Sequence, residues 1–134
     1  MTKLPYLCKR CERPGVAEYD EEWVNNLDYW ASMLTCNPCA DYLTKLRRLK
    51  DVIYQLSIDL NRTRNNREEV VKIRDVLILN TKKIAFVVSR EYRVMNEWSI
   101  EFVDQIMEQP DKSLLIVDTY EKIIGKRARE AHQQ

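Results

Sequence analysis

At 134 residues, 45% hydrophobic and 32% charged, the chain is long enough for an independent core and too apolar for disorder. Two glycines and four prolines leave little punctuation for the many short strands of a sandwich or barrel, so long helices are expected. The net charge of +1 excludes blanket polyanion binding, yet it divides into −2 over residues 1–40, +6 over 41–93 and −3 over 94–134.

No apolar run approaches the ~20 residues of a membrane helix. The opening MTKLPYLCKR lacks the apolar stretch of a signal peptide, so a cytoplasmic protein with no membrane contact is expected. With Gly15 and Gly125 the only glycines, neither the Walker nor the Rossmann phosphate loop can form. The one histidine, His132, lies near the end of the chain and removes most histidine-based catalysis. A binding module without a small-molecule substrate is expected rather than an enzyme.

All four cysteines lie in the first 39 residues, as Cys8-Lys-Arg-Cys11 and Cys36-Asn-Pro-Cys39. A two-residue gap lets both thiolates of a pair reach one ion, and two pairs complete a tetrahedral shell. Two disulfides or unrelated buried thiols are the alternatives. Cytosolic thiols are kept reduced, which weighs against the first, and the paired spacing weighs against the second. One structural Zn2+ held by Cys8, Cys11, Cys36 and Cys39 is therefore predicted. Four sulfurs also close the shell, leaving no open position for catalysis.

Around the first pair, Arg13-Pro14-Gly15 reads as a tight knuckle closing on a turn, and Val16–Tyr19 as a short strand. Asn37 is a helix N-cap candidate with Pro38 at the first helical position, which places Cys39 in a first turn that favours its thiolate. Between the pairs, Trp23, Tyr29 and Trp30 are expected as a small core around the metal. A knuckle, a short β segment and a second pair on a helix start resemble the treble-clef and zinc-ribbon class of zinc finger. That resemblance implies a metal and no one function, since the class binds DNA, RNA, ribosomes and proteins.

Beyond Cys39, apolar residues at Leu46, Leu49, Ile53, Leu56 and Leu60 alternate steps of three and four, predicting a helix over 37–61. Tyr54 and Ile58 lie on another face, so at least a third helix must cover them. Asn65 with Glu68 fits a capping box, starting a second helix near 66 that runs to about 95, where Asn96 ends it. Its seam is Val70, Ile73, Leu77, Ile84 and Val87, with Asn80 falling on it. The β-branched runs 76–79 and 84–88 also fit a hairpin, but the continuing seam favours one helix. Residues 97–109 are read as a helix with Trp98, Phe102 and Ile106 on one face. Pro110-Asp111 breaks it, and a last helix over 112–130 carries Leu115, Tyr120, Ile123 and Ile124. The whole is expected to be mainly α: a zinc module over 1–40 and, over 41–134, an antiparallel helical hairpin and further helices forming a bundle, packed as one compact unit.

Function is read from the basic middle. Lys45, Arg47, Arg48 and Lys50 cluster on the first long helix, and Arg62, Arg64 and Arg67 at the turn after it. Exposed helical cations are commonly just a solvated face. Read functionally, they are phosphate contacts, giving a zinc-stabilised binding protein that acts on nucleic acid or a nucleic-acid-processing complex. The alternative is a protein–protein adaptor or inhibitor, such as a small accessory or phage-encoded inhibitor of a nucleic-acid enzyme. The acidic positions Glu97, Glu101, Asp104, Glu108 and Asp111 are read as a solvated helix face rather than a phosphate mimic.

Overall fold

The computed structural model describes residues 2–94 and 100–132. Close contacts divide the chain into two compact units, Met1–Thr44 and Lys45–Gln134, with the boundary inside a helix.

In the first unit, β1 (Thr2–Leu7) and β2 (Pro14–Tyr19) pair antiparallel, from Thr2 opposite Tyr19 to Leu7 opposite Pro14. Both strands alternate between half-buried and exposed positions, the period-two signature of a sheet with one covered face. Pro5 lies within β1, and a two-stranded sheet has only edges, where proline is tolerated. Gly15 sits opposite Tyr6, and a Cβ added there would lie 2.7 Å from the Tyr6 Cζ, so the ring covers the bare glycine. The cysteine knuckle is the loop joining these strands, turned by Glu12 at φ 62°.

The six-residue α1 (Leu27–Ser32) follows, capped by Asn26, whose side chain accepts from the Tyr29 N–H at 3.1 Å. It changes the expectation for the aromatics. Trp30 packs against Tyr19, with ring centroids 5.6 Å apart, but Trp23 is 83% exposed and Tyr29 66%. A helix of under two turns can aim only one of its rings inward, and Trp23 precedes it in a turn.

The long helix α2 (Asn37–Thr63) is close to the predicted span. Its first intrahelical bond runs from the Ala40 N–H to the Cys36 carbonyl at 2.9 Å, so Cys36 occupies the cap position expected of Asn37. After a tight turn, α3 (Arg67–Tyr92) is capped by Asn66, whose side chain accepts from the Glu69 N–H at 3.3 Å. The capping pair therefore lies one residue beyond Asn65 and Glu68. The helix ends at Arg93 in the left-handed conformation, φ 56°, earlier than expected. Asn96, Glu97 and Trp98 lie outside the described residues.

Then come α4 (Ile100–Glu108), a single 3-10 turn at Pro110–Lys112, and α5 (Ser113–His132). Segment 76–88 is helix throughout, and α3 packs against both α4 and α5. The second unit's core takes Leu46, Ile53 and Leu60 from α2 and Ile73, Leu77, Ile84 and Val88 from α3. Phe102, Val103 and Ile106 of α4 and Val117 and Ile124 of α5 complete it. Asn80 is buried and bonded within its own helix, donating to the Val76 carbonyl at 2.8 Å. Tyr54, Leu115 and Ile123 are at the surface instead of in the core. On α5 the predicted Ile124 is buried and Tyr120 half-buried, and the buried line also takes in Val117 and Ala128. Glu101, Asp104, Glu108 and Asp111 are all exposed, and Asp104 accepts from Arg74 at 3.1 Å, as on a solvated face.

Candidate metal centre

The knuckle between β1 and β2 presents Cys8 and Cys11, and the start of α2 presents Cys36 and Cys39. Their four Sγ atoms lie within 4.8 Å of one another, with Cys11 and Cys36 sulfurs 3.6 Å apart. A disulfide would need about 2.05 Å, whereas four sulfurs at about 2.3 Å from one tetrahedral ion stand about 3.8 Å apart. All four cysteines are free. The donor set fits a soft, thiolate-preferring metal ion.

Further observations support the fit. Cys8 is 1% exposed and Cys39 4%, so two of the sulfurs are withdrawn from solvent. The backbone N–H groups of Cys11 and Cys36 point at the Cys8 Sγ, at 3.5 and 3.2 Å, the arrangement that steadies a ligating thiolate. The Arg10 guanidinium donates to the Cys39 Sγ at 3.5 Å and lies 4.3 Å from the centroid of the Tyr42 ring. Tyr42 is itself 4% exposed. Arg10 and Tyr42 thus flank the cluster, where the small core of Trp23, Tyr29 and Trp30 is expected from the sequence. Spacing alone does not reveal them, although Arg10 lies inside the first cysteine pair and Tyr42 one turn after the second.

The sulfurs differ in acidity. Backbone N–H donation, chiefly from Cys11, lowers the Cys8 thiol from 9.0 to about 6 against the opposing effect of burial. Burial pushes Cys39 up to about 12 although Arg10 pulls the other way. Burial of the helix start is the chief cause for Cys39, so its thiolate form depends on a bound cation. Metal uptake at pH 7 is therefore expected to expel the Cys39 proton, with Cys8 ionised above about 6. Titration calorimetry in buffers of differing ionisation enthalpy is expected to report net proton release. Affinity should fall with pH across the neutral range, because protons compete for Cys39, and more steeply below about 6, where they also compete for Cys8. The stability that the lowered Cys8 value lends the folded form is full above about 9 and is lost as pH falls through about 6. Proton-neutral binding would contradict this assignment.

The predicted basic residues are not gathered into one patch. Lys50 is engaged by α5, 2.5 Å from Asp118 and 3.9 Å from Glu121. Lys45, Arg47 and Arg48 are exposed on α2, and Arg62, Arg64 and Arg67 are exposed around the α2–α3 turn. The two groups are about 21 Å apart along α2, from Arg48 to Arg62 at 1.5 Å per residue. Lys45 and Arg48 instead border a groove of about 470 Å³ between α2 and α3, with Leu49, Leu79, Phe86 and Val87 in its lining. Periodicity arguments overlooked this groove because they assign each apolar residue to a core. No described helix is long and apolar enough to cross a membrane. No protein-family model, curated protein or solved structure matches the chain.

Proposed function

We propose that the chain is a non-catalytic, zinc-stabilised protein-recognition module, an adaptor or inhibitor within a nucleic-acid-processing complex. The observation that carries this reading is the α2–α3 groove, lined by apolar and basic side chains. Leu79 and Phe86 are 54% and 57% exposed there, two turns apart on α3. Phosphate backbones are recognised by cations and polar donors, whereas an apolar lining is of use only to a partner with apolar side chains. The N-terminal unit resembles a treble-clef finger in carrying one cysteine pair on a knuckle and the other at a helix start. Its zinc, bound by four thiolates, serves as a staple for a small unit and has no coordination position left for substrate.

A second reading is direct nucleic-acid contact, favoured by the three exposed arginines at the α2–α3 turn. Each phosphate contact contributes about −0.9 to the slope of log K against log salt on duplex DNA. Replacing Arg62, Arg64 and Arg67 with alanine would then flatten that slope by up to about three units. A pull-down from lysate with and without nuclease decides between the two. A partner protein retained in near-stoichiometric amount after nuclease, with no mobility shift on DNA or RNA, is expected. Loss of all partners on nuclease treatment, with a salt-dependent shift that the arginine variants weaken, would overturn the protein-recognition reading.

A further inference from the structure

We propose that the α2–α3 groove is the docking site for an acidic amphipathic helix of a partner protein, an inference that rests on the protein-recognition reading above. Leu49 of α2 and Leu79, Phe86 and Val87 of α3 give it its apolar lining. Lys45 and Arg48 line it from α2, and Lys82 and Lys83 from α3, with no acidic residue among the lining groups. All four cations are exposed. Both helices therefore bring charge of the same sign to the apolar lining.

That pattern specifies the occupant. Leu79 and Phe86 are seven residues apart on α3, about 10.5 Å at 1.5 Å per residue. An incoming helix with apolar anchors at i and i+7 spans the same length, so these can pack on Leu79 and Phe86, with Lys82 and Lys83 lying between them one turn from each. Laid over the hairpin, it would present Asp and Glu to Lys45 and Arg48 of α2 and to Lys82 and Lys83 of α3. Charge complementarity of this kind sets orientation and rejects basic competitors.

A second copy of the chain is a poor occupant. The apolar face of its acidic α4, with Phe102, Val103 and Ile106, is buried in its own core. The outer face of α5 carries the exposed Leu115 and Ile123, but among the exposed cations Lys122 and Lys126, which would meet cations here. A nucleic acid would leave Leu49, Leu79 and Val87 without apolar partners.

The test uses the full, zinc-loaded chain and a labelled synthetic helix of about five turns, Leu and Phe at the anchor positions and Asp and Glu beside them. A control peptide has the same apolar face with lysine for every acid. Fluorescence anisotropy is expected to show saturable binding of the acidic peptide, weakened by salt, and little of the basic one. The double change Leu79→Ser with Phe86→Ser should weaken it at least about tenfold, the range of a hot-spot pair. Both side chains are more than half exposed, so the variant is expected to keep its thermal midpoint. Lys82→Glu with Lys83→Glu should reverse the peptide preference, an outcome that a fold defect cannot mimic. Equal binding of both peptides, no binding, indifference to the Leu79 and Phe86 changes, or capture by anionic lipid vesicles through the same residues would each overturn the proposal. If the acidic peptide fails while a nuclease-resistant partner is still lost on changing Leu79 and Phe86, helix docking falls and protein recognition stands. If that partner is indifferent to both residues, both readings fall.

Discussion

Chelating the zinc, or replacing Cys39 with serine, is expected to unfold the unit Met1–Thr44 while most of the helical circular-dichroism signal survives. The reason lies in where the apolar burial is. Among the described residues of this unit, the buried hydrophobic side chains are Cys8, Cys39 and Tyr42, two of them ligands and the third stacked under Arg10. Its core is the site itself. A two-stranded sheet is marginal in water, and α1 is too short to be stable alone. A metal held by this cluster, worth on the order of 10 kcal/mol where it is structural zinc, is therefore expected to be most of what holds the unit together. The second unit buries Ile53, Leu77, Ile84, Val103, Ile106 and Val117 at 0% exposure without drawing on the cysteines. Metal analysis should find one zinc per chain, and hydrogen exchange after chelation should lose protection in β1, β2 and α1 while α3 keeps it. Purified protein with no zinc and its cysteines in disulfides would sink the assignment, as would protection of β1 and β2 that is indifferent to chelation.

The parts legible in the sequence are those set by short, periodic signals. Two C-x-x-C pairs are local patterns whose geometry follows from the metal, and the four sulfurs do converge. Steps of three and four from Leu46 to Leu60 located the buried line of α2, and the continuous seam chose helix over hairpin for 76–88. What stayed hidden depends on contacts between segments distant in sequence. Lys50 looks like its basic neighbours until Asp118 and Glu121 are brought beside it. Leu115 and Ile123 are as apolar as any core residue, and only the rotation of α5 decides that they face outward. Arg10 over Tyr42 joins a loop to a helix 32 residues on, and no local rule couples them. The groove is hidden for the same reason: Leu79 and Phe86 fall within a helix already rich in apolar residues, and their exposure follows from which face α4 and α5 leave uncovered.

Truncating Leu77 and Leu79 separately turns that distinction into a measurement. In a strand, residues two apart share a face; on a helix they are about 200° apart. Leu77 is 0% exposed and Leu79 54%. Leu77→Ala removes a fully buried branched side chain from the middle of α3, the helix that packs against both α4 and α5. Such truncations cost about 2–5 kcal/mol, the lost transfer energy plus the cavity that rigid neighbours cannot close. Against a total stability of about 5–15 kcal/mol this is a large fraction, and for a unit of this size the thermal midpoint should fall by about 10 °C or more. Leu79→Ala touches only the groove and should change stability by less than about 0.5 kcal/mol. Urea unfolding of both variants, followed by the helical signal, is expected to show a shifted midpoint for Leu77→Ala alone, with the slope unchanged. Equal losses at the two positions would mean that they share a buried face, and the segment would then have to be a strand.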